Sequence, residues 1–179
     1  CAATLLHPMG VNNVIPTRIT EALRRFPPFS MLPASVVATL ATDSVVRVLA
    51  AGEKVWTQGD KPGDELLFLA RGRVEYIWKV EDRSELVDVR DVGDVLGLTA
   101  LLKNEPFRVT AQVVEDSLFY ALPWPVMREL LEAHDEARDY ARRHLFWATR
   151  VGDSISLPEP TESRVAGRAK SILQAHLDG

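Results

Sequence analysis

Short β-type segments separated by glycine turns constrain the fold of this chain more than any other feature. Between residues 44 and 122, apolar residues alternate or cluster in segments of five to eight residues, bounded by turn signals at Gly52, Gly63, Gly72 and Gly93. The predicted strands are 45–49, 53–57, 65–70, 73–80, 85–90, 108–114 and 117–122. Such a series predicts an antiparallel sandwich or barrel, and about seven or eight strands suit a small jelly roll.

Helical patterns precede the β-rich part. Thr17 is a suitable N-cap for a helix that reaches about Phe26, where two prolines stop it, and a second helix is expected after Pro33. Residues 1–16 contain two prolines and a glycine, so we expect a loosely ordered N-terminal segment.

Helical patterns also follow the β-rich part. An apolar stripe begins after Pro123, and Asp135 can cap a longer helix that reaches about Thr149. Prolines in residues 152–162 indicate a linker, and residues 163–177 can form a further amphipathic helix. We therefore divide the chain into an N-terminal segment 1–16, a domain 17–150, and a linker with a C-terminal amphipathic helix at 151–179.

Composition and charge exclude several classes of protein. The chain has 179 residues, of which 46% are hydrophobic and 26% are charged, as in ordinary globular proteins. Its net charge of −4 argues against broad nucleic-acid binding, which needs an excess of Lys and Arg on one face. One cysteine rules out a disulfide framework and a cysteine zinc site, and no apolar run approaches the ~20 residues of a membrane helix. We expect a cytoplasmic protein without nucleic-acid partners, membrane insertion or bound metal.

Catalytic sequence patterns are absent from the chain. It has no nucleophile elbow, zinc-protease motif or P-loop, so we do not expect this piece to be an enzyme. The sequence opens with Cys1 rather than Met, which indicates a piece of a longer intracellular protein, and a fused domain can be enzymatic.

Several short sequence pieces occur in a defined order. They are Ala51-Gly52-Glu53-Lys54-Val55, Gln58-Gly59-Asp60, Ala70-Arg71-Gly72-Arg73-Val74, Val92-Gly93-Asp94-Val95-Leu96-Gly97 and Asp116-Ser117-Leu118-Phe119-Tyr120-Ala121-Leu122-Pro123. Over residues 20–135, this series resembles the cyclic nucleotide-binding domain of catabolite activators, protein kinase A regulatory subunits and nucleotide-gated channels. The resemblance implies a mainly β fold with flanking helices (α+β), in which a double-stranded β-helix, or jelly roll, has helices at both termini.

A phosphate cassette carries ligand binding in that family. A strand ends in Phe-Gly-Glu, a short helix begins, and an arginine follows; the helix amides and the arginine hold the cyclic phosphate, and the glutamate accepts a hydrogen bond from the ribose. Here Gly97 is retained and Arg108 follows eleven residues later. The resemblance implies a cyclic nucleotide or related phosphate as the ligand, with no other cofactor. It implies a ligand site of Gly97, Leu98, Thr99, Ala100, Arg108, Val109 and Thr110.

Leu98 stands where the family has the glutamate, and leucine cannot accept a hydrogen bond. A ribose hydroxyl facing Leu98 in a dry pocket loses its water partners, which costs about 1–3 kcal/mol. We therefore expect weak binding of cyclic AMP and cyclic GMP. A different phosphorylated ligand and the absence of any ligand both stay open.

Some of these residues also have structural explanations. Arg108 can pair with Glu105 or Asp116 instead of a phosphate. Gly97 is needed for the turn whether or not a ligand binds. Thr99 is expected as the N-cap of the cassette helix rather than as a direct ligand.

Two functions follow from these observations. The first is a regulatory sensor domain, in which ligand binding moves the helices after Pro123 and so signals to a fused effector domain. The alternative is a degenerate, ligand-free β-roll that dimerises or binds proteins. Its dimer would be a homodimer through the helix face Ala137, Ala141, Leu145 and Ala148. The residues after Thr149 are too few for the winged helix with which catabolite activators bind DNA.

Overall fold

An antiparallel β-sheet flanked by helices makes up the computed structural model, which describes residues 14–145. The helices are α1 (Val14–Leu23), α2 (Ala34–Thr42), α3 (Leu98–Lys103), α4 (Trp124–Ala133) and α5 (Asp135–Tyr140), with a 3-10 turn at Phe29–Met31 and a π-helical turn at Ala141–Leu145. The strands are β1 (Val45–Leu49), β2 (Lys54–Trp56), β3 (Glu65–Val80), β4 (Arg83–Arg90), β5 (Val95–Leu96) and β6 (Thr110–Pro123). The predicted mainly β fold with helices at both ends is confirmed.

Two long strands organise the sheet, which is not closed. The main path runs β1-β6-β3-β4, with β2 paired to β6 and β5 paired to β3. β3 and β6 pair antiparallel from Glu65 opposite Pro123 to Ile77 opposite Thr110. Each of the four shorter strands therefore takes its position from one of these two.

Four of the predicted short strands are halves of the two long ones. The predicted strands 65–70 and 73–80 form the continuous strand β3, and the last two predicted strands likewise merge into β6. The turn predicted at Gly72 is wrong, because Gly72 lies within β3 with a φ of +100°, where the register against β6 shifts. A Cβ at this position would lie 2.7 Å from the Cα of Ser117, so glycine permits a close approach of two strands rather than a reversal.

Two predicted helix starts also differ from the structure. α1 begins at Val14, so Thr17 lies inside the helix instead of capping it. α5 begins at Asp135 with His134 in the capping position, and the π-helical turn follows it. The rest of the helix predicted up to Thr149, the linker, the C-terminal amphipathic helix and most of the predicted N-terminal segment lie outside the described residues.

The main hydrophobic core lies between the sheet and the helices. Phe68 of β3 is fully buried and contacts Phe29 edge to face, with the ring centroids 5.8 Å apart. Ala137 and Ala141 are buried in the same core. The helix face predicted to bind a second copy therefore packs against the chain's own core, and Ala148 lies outside the described residues.

Candidate ligand-binding site

One cavity brings the predicted cassette together. Six of the seven predicted site residues line it, namely Gly97, Leu98, Thr99, Ala100, Arg108 and Val109. Its volume is about 60 Å³. That volume is enough for about five water molecules. Leu145 of the π-helical turn also lines the cavity, so the cassette and the turn that follows α5 meet there.

Gly97 begins the cassette helix in a conformation that favours glycine. Its φ of +90° lies in the left-handed region, and it occupies the N-cap position of α3. Thr99 is therefore not the N-cap, as predicted, but the second residue of the helix. A Cβ at Gly97 would lie 3.5 Å from the ring of Phe107, so an aromatic side chain already bounds the space beside the turn.

Arg108 lies at the cavity with its guanidinium already paired. Its Nη2 is 3.1 Å from Oε2 of Glu105, which also lines the cavity, and about half of each side chain is exposed. Arg108 pairs with Glu105 and not with Asp116, whose Oδ1 instead accepts a hydrogen bond from the backbone N–H of Ala51. The guanidinium of Arg108 is thus held at the cavity by a carboxylate that solvent can reach.

Thr110 is the predicted site residue that does not line the cavity. Its side chain is buried, and its Oγ1 accepts a hydrogen bond of 3.0 Å from the backbone N–H of Gln58. The hydroxyl therefore joins β6 to the segment after β2 instead of facing a ligand. Leu98 is also buried, and it touches both the core and the cavity, to which its hydrocarbon side chain offers no hydrogen-bond acceptor.

Three aromatic side chains that the sequence analysis did not assign to the site form one wall of the cavity. Trp56 stacks on Phe107 with the ring centroids 4.0 Å apart and the planes 8° from parallel. Trp56 also lies 5.8 Å from Tyr76, measured between ring centroids. Its indole Nε1 donates a hydrogen bond of 2.8 Å to the backbone carbonyl of Val109, which fixes the ring. The wall is suited to pack against a flat ring.

Arg90 is a second cavity arginine that sequence reasoning missed. Its side chain is 12% exposed and pairs with Asp88, with Nη2 2.9 Å from Oδ2. Its Cζ lies 4.9 Å from the centroid of the Tyr76 ring, a cation–π arrangement. Nε of Arg90 is shielded from solvent and has no hydrogen-bond partner among the described residues.

Burial and charge shift the pKa values of the groups around Arg90. Burial raises the pKa of Tyr76 to about 12, although the charge of Arg90 and a hydrogen bond with the Gly97 backbone lower it. Burial lowers the pKa of Arg90, but Tyr76, Asp88 and Asp94 raise it by more, so the net pKa lies above its ordinary value. At neutral pH the phenol is therefore protonated and the guanidinium charged.

Residues 14–145 hold neither a metal-ligand cluster nor a membrane-spanning helix. No group of three or more His, Cys, Asp or Glu side chains is placed to hold a metal ion there. Within the same range, no helix has the length and apolar character needed to cross a membrane.

Residues 46–134 match the family model of the cyclic nucleotide-binding domain. This part of the chain belongs to that family. The match runs from β1 through α4 and includes every residue that lines the cavity except Leu145. The predicted resemblance is confirmed.

Solved structures of proteins from three organisms share the fold of the domain. The regulatory domain of Toxoplasma gondii PKA with cAMP is 20% identical with a TM-score of 0.61, and the match covers 71% of this chain and 48% of that chain. The regulatory subunit of a cAMP-independent protein kinase A from Trypanosoma cruzi, bound to guanosine, is 19% identical with a TM-score of 0.64, covering 74% and 48%. The N-terminal domain of a transcriptional regulator from Streptomyces coelicolor A3(2) is 24% identical with a TM-score of 0.56, covering 68% and 85%.

The cyclic nucleotide-binding domain described here spans about half the length of the first two of these structures, 48% of each. A search of curated protein sequences finds no match to the chain.

Proposed function

We propose that this cyclic nucleotide-binding domain is a regulatory sensor, whose cavity takes a phosphate-bearing nucleotide and whose C-terminal helices pass on the signal. The observation that carries the proposal is the convergence of Gly97, Arg108 and Leu145 on one cavity. Gly97 and Arg108 belong to the cassette, whereas Leu145 ends the π-helical turn after α5. A ligand between them contacts both parts at once.

Arg108 is available to an anion although it is already paired. Its pair with Glu105 is about half exposed, and exposed ion pairs contribute at most about 1 kcal/mol. A phosphate offers the guanidinium charge-assisted hydrogen bonds to several oxygens. A phosphate can therefore replace the carboxylate at a small cost in free energy.

Leu145 gives the ligand a way to act on the helices. The cavity of about 60 Å³ holds a few waters and is too small for a nucleotide in its present shape. Leu145 lines the cavity and is partly buried against the main core, so its displacement would enlarge the cavity. A ligand that binds the enlarged form better shifts the helices toward that form.

Calorimetry with cyclic AMP and cyclic GMP tests the proposal. Arg108→Ala should weaken the binding of whichever nucleotide binds by at least about tenfold, as expected for loss of hydrogen bonds to a charged group. Arg128→Ala is the matched control, because Arg128 is an exposed arginine paired with a nearby glutamate on α4, away from the cavity. Equal affinities of the Arg108→Ala and Arg128→Ala variants would remove the cassette from the mechanism.

A ligand-free interaction module is the second candidate. Two observations favour it: Leu98 offers the sugar no acceptor, and Arg108 already has a partner within the chain. Failure of both cyclic nucleotides to bind the folded protein would support this candidate. Light scattering would then show whether the protein self-associates. Because Ala137 and Ala141 are buried in the core, any such association would use another surface.

A further inference from the structure

Trp56 contacts the cassette on both sides of Arg108. Its indole ring stacks on Phe107, the residue before Arg108, with the ring centroids 4.0 Å apart and the planes 8° from parallel. Its Nε1 donates a hydrogen bond of 2.8 Å to the backbone carbonyl of Val109, the residue after Arg108. One side chain from β2 therefore holds both sequence neighbours of the cassette arginine.

The turn after β2 holds the same stretch of backbone. Gly59 donates its N–H to the carbonyl of Phe107 at 2.8 Å, and Phe107 donates its own N–H to the carbonyl of Asp60 at 2.9 Å. Gln58 donates its N–H to the hydroxyl of Thr110 at 3.0 Å. The backbone before and after the arginine is thus fixed against β2 and the turn that follows it.

The guanidinium of Arg108 is held less firmly than the backbone around it. Its side chain is 47% exposed, and its partner Glu105 is an equally exposed carboxylate that a phosphate can replace. An arginine recognises a phosphate through a planar fork of N–H groups, so the angle at which the fork meets the oxygens matters. That angle depends on the backbone from which the long side chain extends.

We propose that Trp56 is a positioning residue for Arg108, an inference that rests on the proposed nucleotide-binding function. The stack on Phe107 fixes the backbone before the arginine, and the hydrogen bond to Val109 fixes the backbone after it. Trp56 thereby acts on the phosphate through the geometry of Arg108. Its ring also lines the cavity, so direct packing against the ligand is the competing role.

Trp56→Phe tests the contribution of the indole N–H. Phenylalanine keeps an aromatic ring beside Phe107 but loses the donor to the Val109 carbonyl. We expect calorimetry to show that the cyclic nucleotide that binds best, cyclic AMP or cyclic GMP, binds about three- to tenfold more weakly, the range for loss of one neutral hydrogen bond. Trp78→Phe is the matched control and should leave the affinity unchanged. Trp78 is partly buried against the same cluster of buried residues as Trp56 but lies outside the cassette cavity.

Arg108→Lys separates positioning from direct contact with the ligand. Lysine keeps the positive charge but binds a phosphate as a point charge, without the planar fork. In the Arg108→Lys protein, Trp56→Phe should therefore lower the affinity by less than about twofold, because no fork remains to be misaligned. Direct packing of the indole against the ligand would cost the same factor in both proteins, and that result would overturn the inference. NMR titration reaches the weaker affinities of the double variant, and thermal unfolding shows that each variant is folded.

Hydrogen exchange tests the positioning without any ligand. The amide of Phe107, which donates to the Asp60 carbonyl, should exchange faster in Trp56→Phe than in Trp78→Phe. Equal exchange rates in the two variants, or equal nucleotide affinities, would overturn the positioning role and leave the nucleotide sensor standing. If neither cyclic nucleotide binds the unaltered protein, the nucleotide sensor fails, and the positioning of Arg108 for a phosphate fails with it.

Discussion

Nη2 of Arg108 lies 3.1 Å from Oε2 of Glu105, three residues earlier in the same cassette loop. Both side chains line the cavity, and about half of each is exposed. The carboxylate of Glu105 therefore already pairs with the guanidinium that a phosphate would need. In this arrangement Glu105 competes with an anionic ligand inside the same chain.

Glu105→Gln should strengthen nucleotide binding by relieving that competition. An exposed ion pair contributes about 0.2–1 kcal/mol, so we expect a gain in affinity of about 1.4- to fivefold for the cyclic nucleotide that binds best, measured by calorimetry at low salt. Glu132→Gln is the control, because it frees Arg128 on α4 in the same way without touching the cavity. A loss of affinity, or equal gains in the two variants, would contradict the competition.

Gly72→Ala should destabilise the protein more than Gly52→Ala. Both glycines have positive φ, +100° and +91°, so each substitution carries a backbone cost of about 1–2 kcal/mol. A Cβ at Gly72 would also lie 2.7 Å from the Cα of Ser117, whereas a Cβ at Gly52 meets nothing within 4 Å. Crowding adds about 1–3 kcal/mol at Gly72 alone. Urea unfolding of the two variants measures the difference, and equal free energies of unfolding would mean that β3 and β6 can move apart freely.

The same glycine shows how far the sequence predicts the fold. Gly72 is a clear conformational signal, but a tight turn and a bulge in a long strand require the same positive φ, so local sequence cannot separate them. The difference is decided by β6, which begins 38 residues after Gly72 and pairs with both halves of β3. The mainly β class was therefore predictable, whereas the number of strands required tertiary contacts.

Only some residues of the candidate site could likewise be predicted from the sequence. Gly97 and Arg108 lie in one short segment, where the resemblance to the family's cassette predicts them, and both line the cavity. Trp56 and Arg90 come from other strands, and an arginine at the end of a strand is usually exposed. Only the folded sheet brings them to the cassette. Thr110 shows the converse, because its hydroxyl lies close to the cassette arginine in the sequence but accepts a hydrogen bond from the backbone N–H of Gln58.

The buried phenol of Tyr76 should make stability depend on pH above about 10. An unfolded tyrosine has a pKa near 10, whereas burial raises that of Tyr76 to about 12 in the folded protein. The unfolded chain therefore loses this proton first, and the free energy of unfolding falls as pH rises from about 10 to 12, by up to about 1.4 kcal/mol per pH unit. The contribution is fully present below pH 10.

Tyr76→Phe isolates that contribution. Every other group that titrates at alkaline pH is the same in both proteins, and the loss of the hydroxyl itself acts equally at all pH values. We expect the difference in free energy of unfolding between the two proteins, measured in urea, to be constant below about pH 10 and to change in favour of Tyr76→Phe above it. Parallel curves across this range would mean that the phenol is not buried as described.

Leu98→Glu should destabilise the fold although it restores the family's residue at that position. Leu98 is 3% exposed and packs in the main core, so the substitution removes apolar contacts and brings a carboxylate into a buried place. We expect the free energy of unfolding to fall by at least about 2 kcal/mol in urea. Leu102→Glu is the matched control, since Leu102 lies on the same helix but is 40% exposed and should change stability by no more than about 0.5 kcal/mol. Similar losses in both variants would show that the helix tolerates charge on either face, and Leu98 would then not be a core residue that excludes the sugar-binding acid.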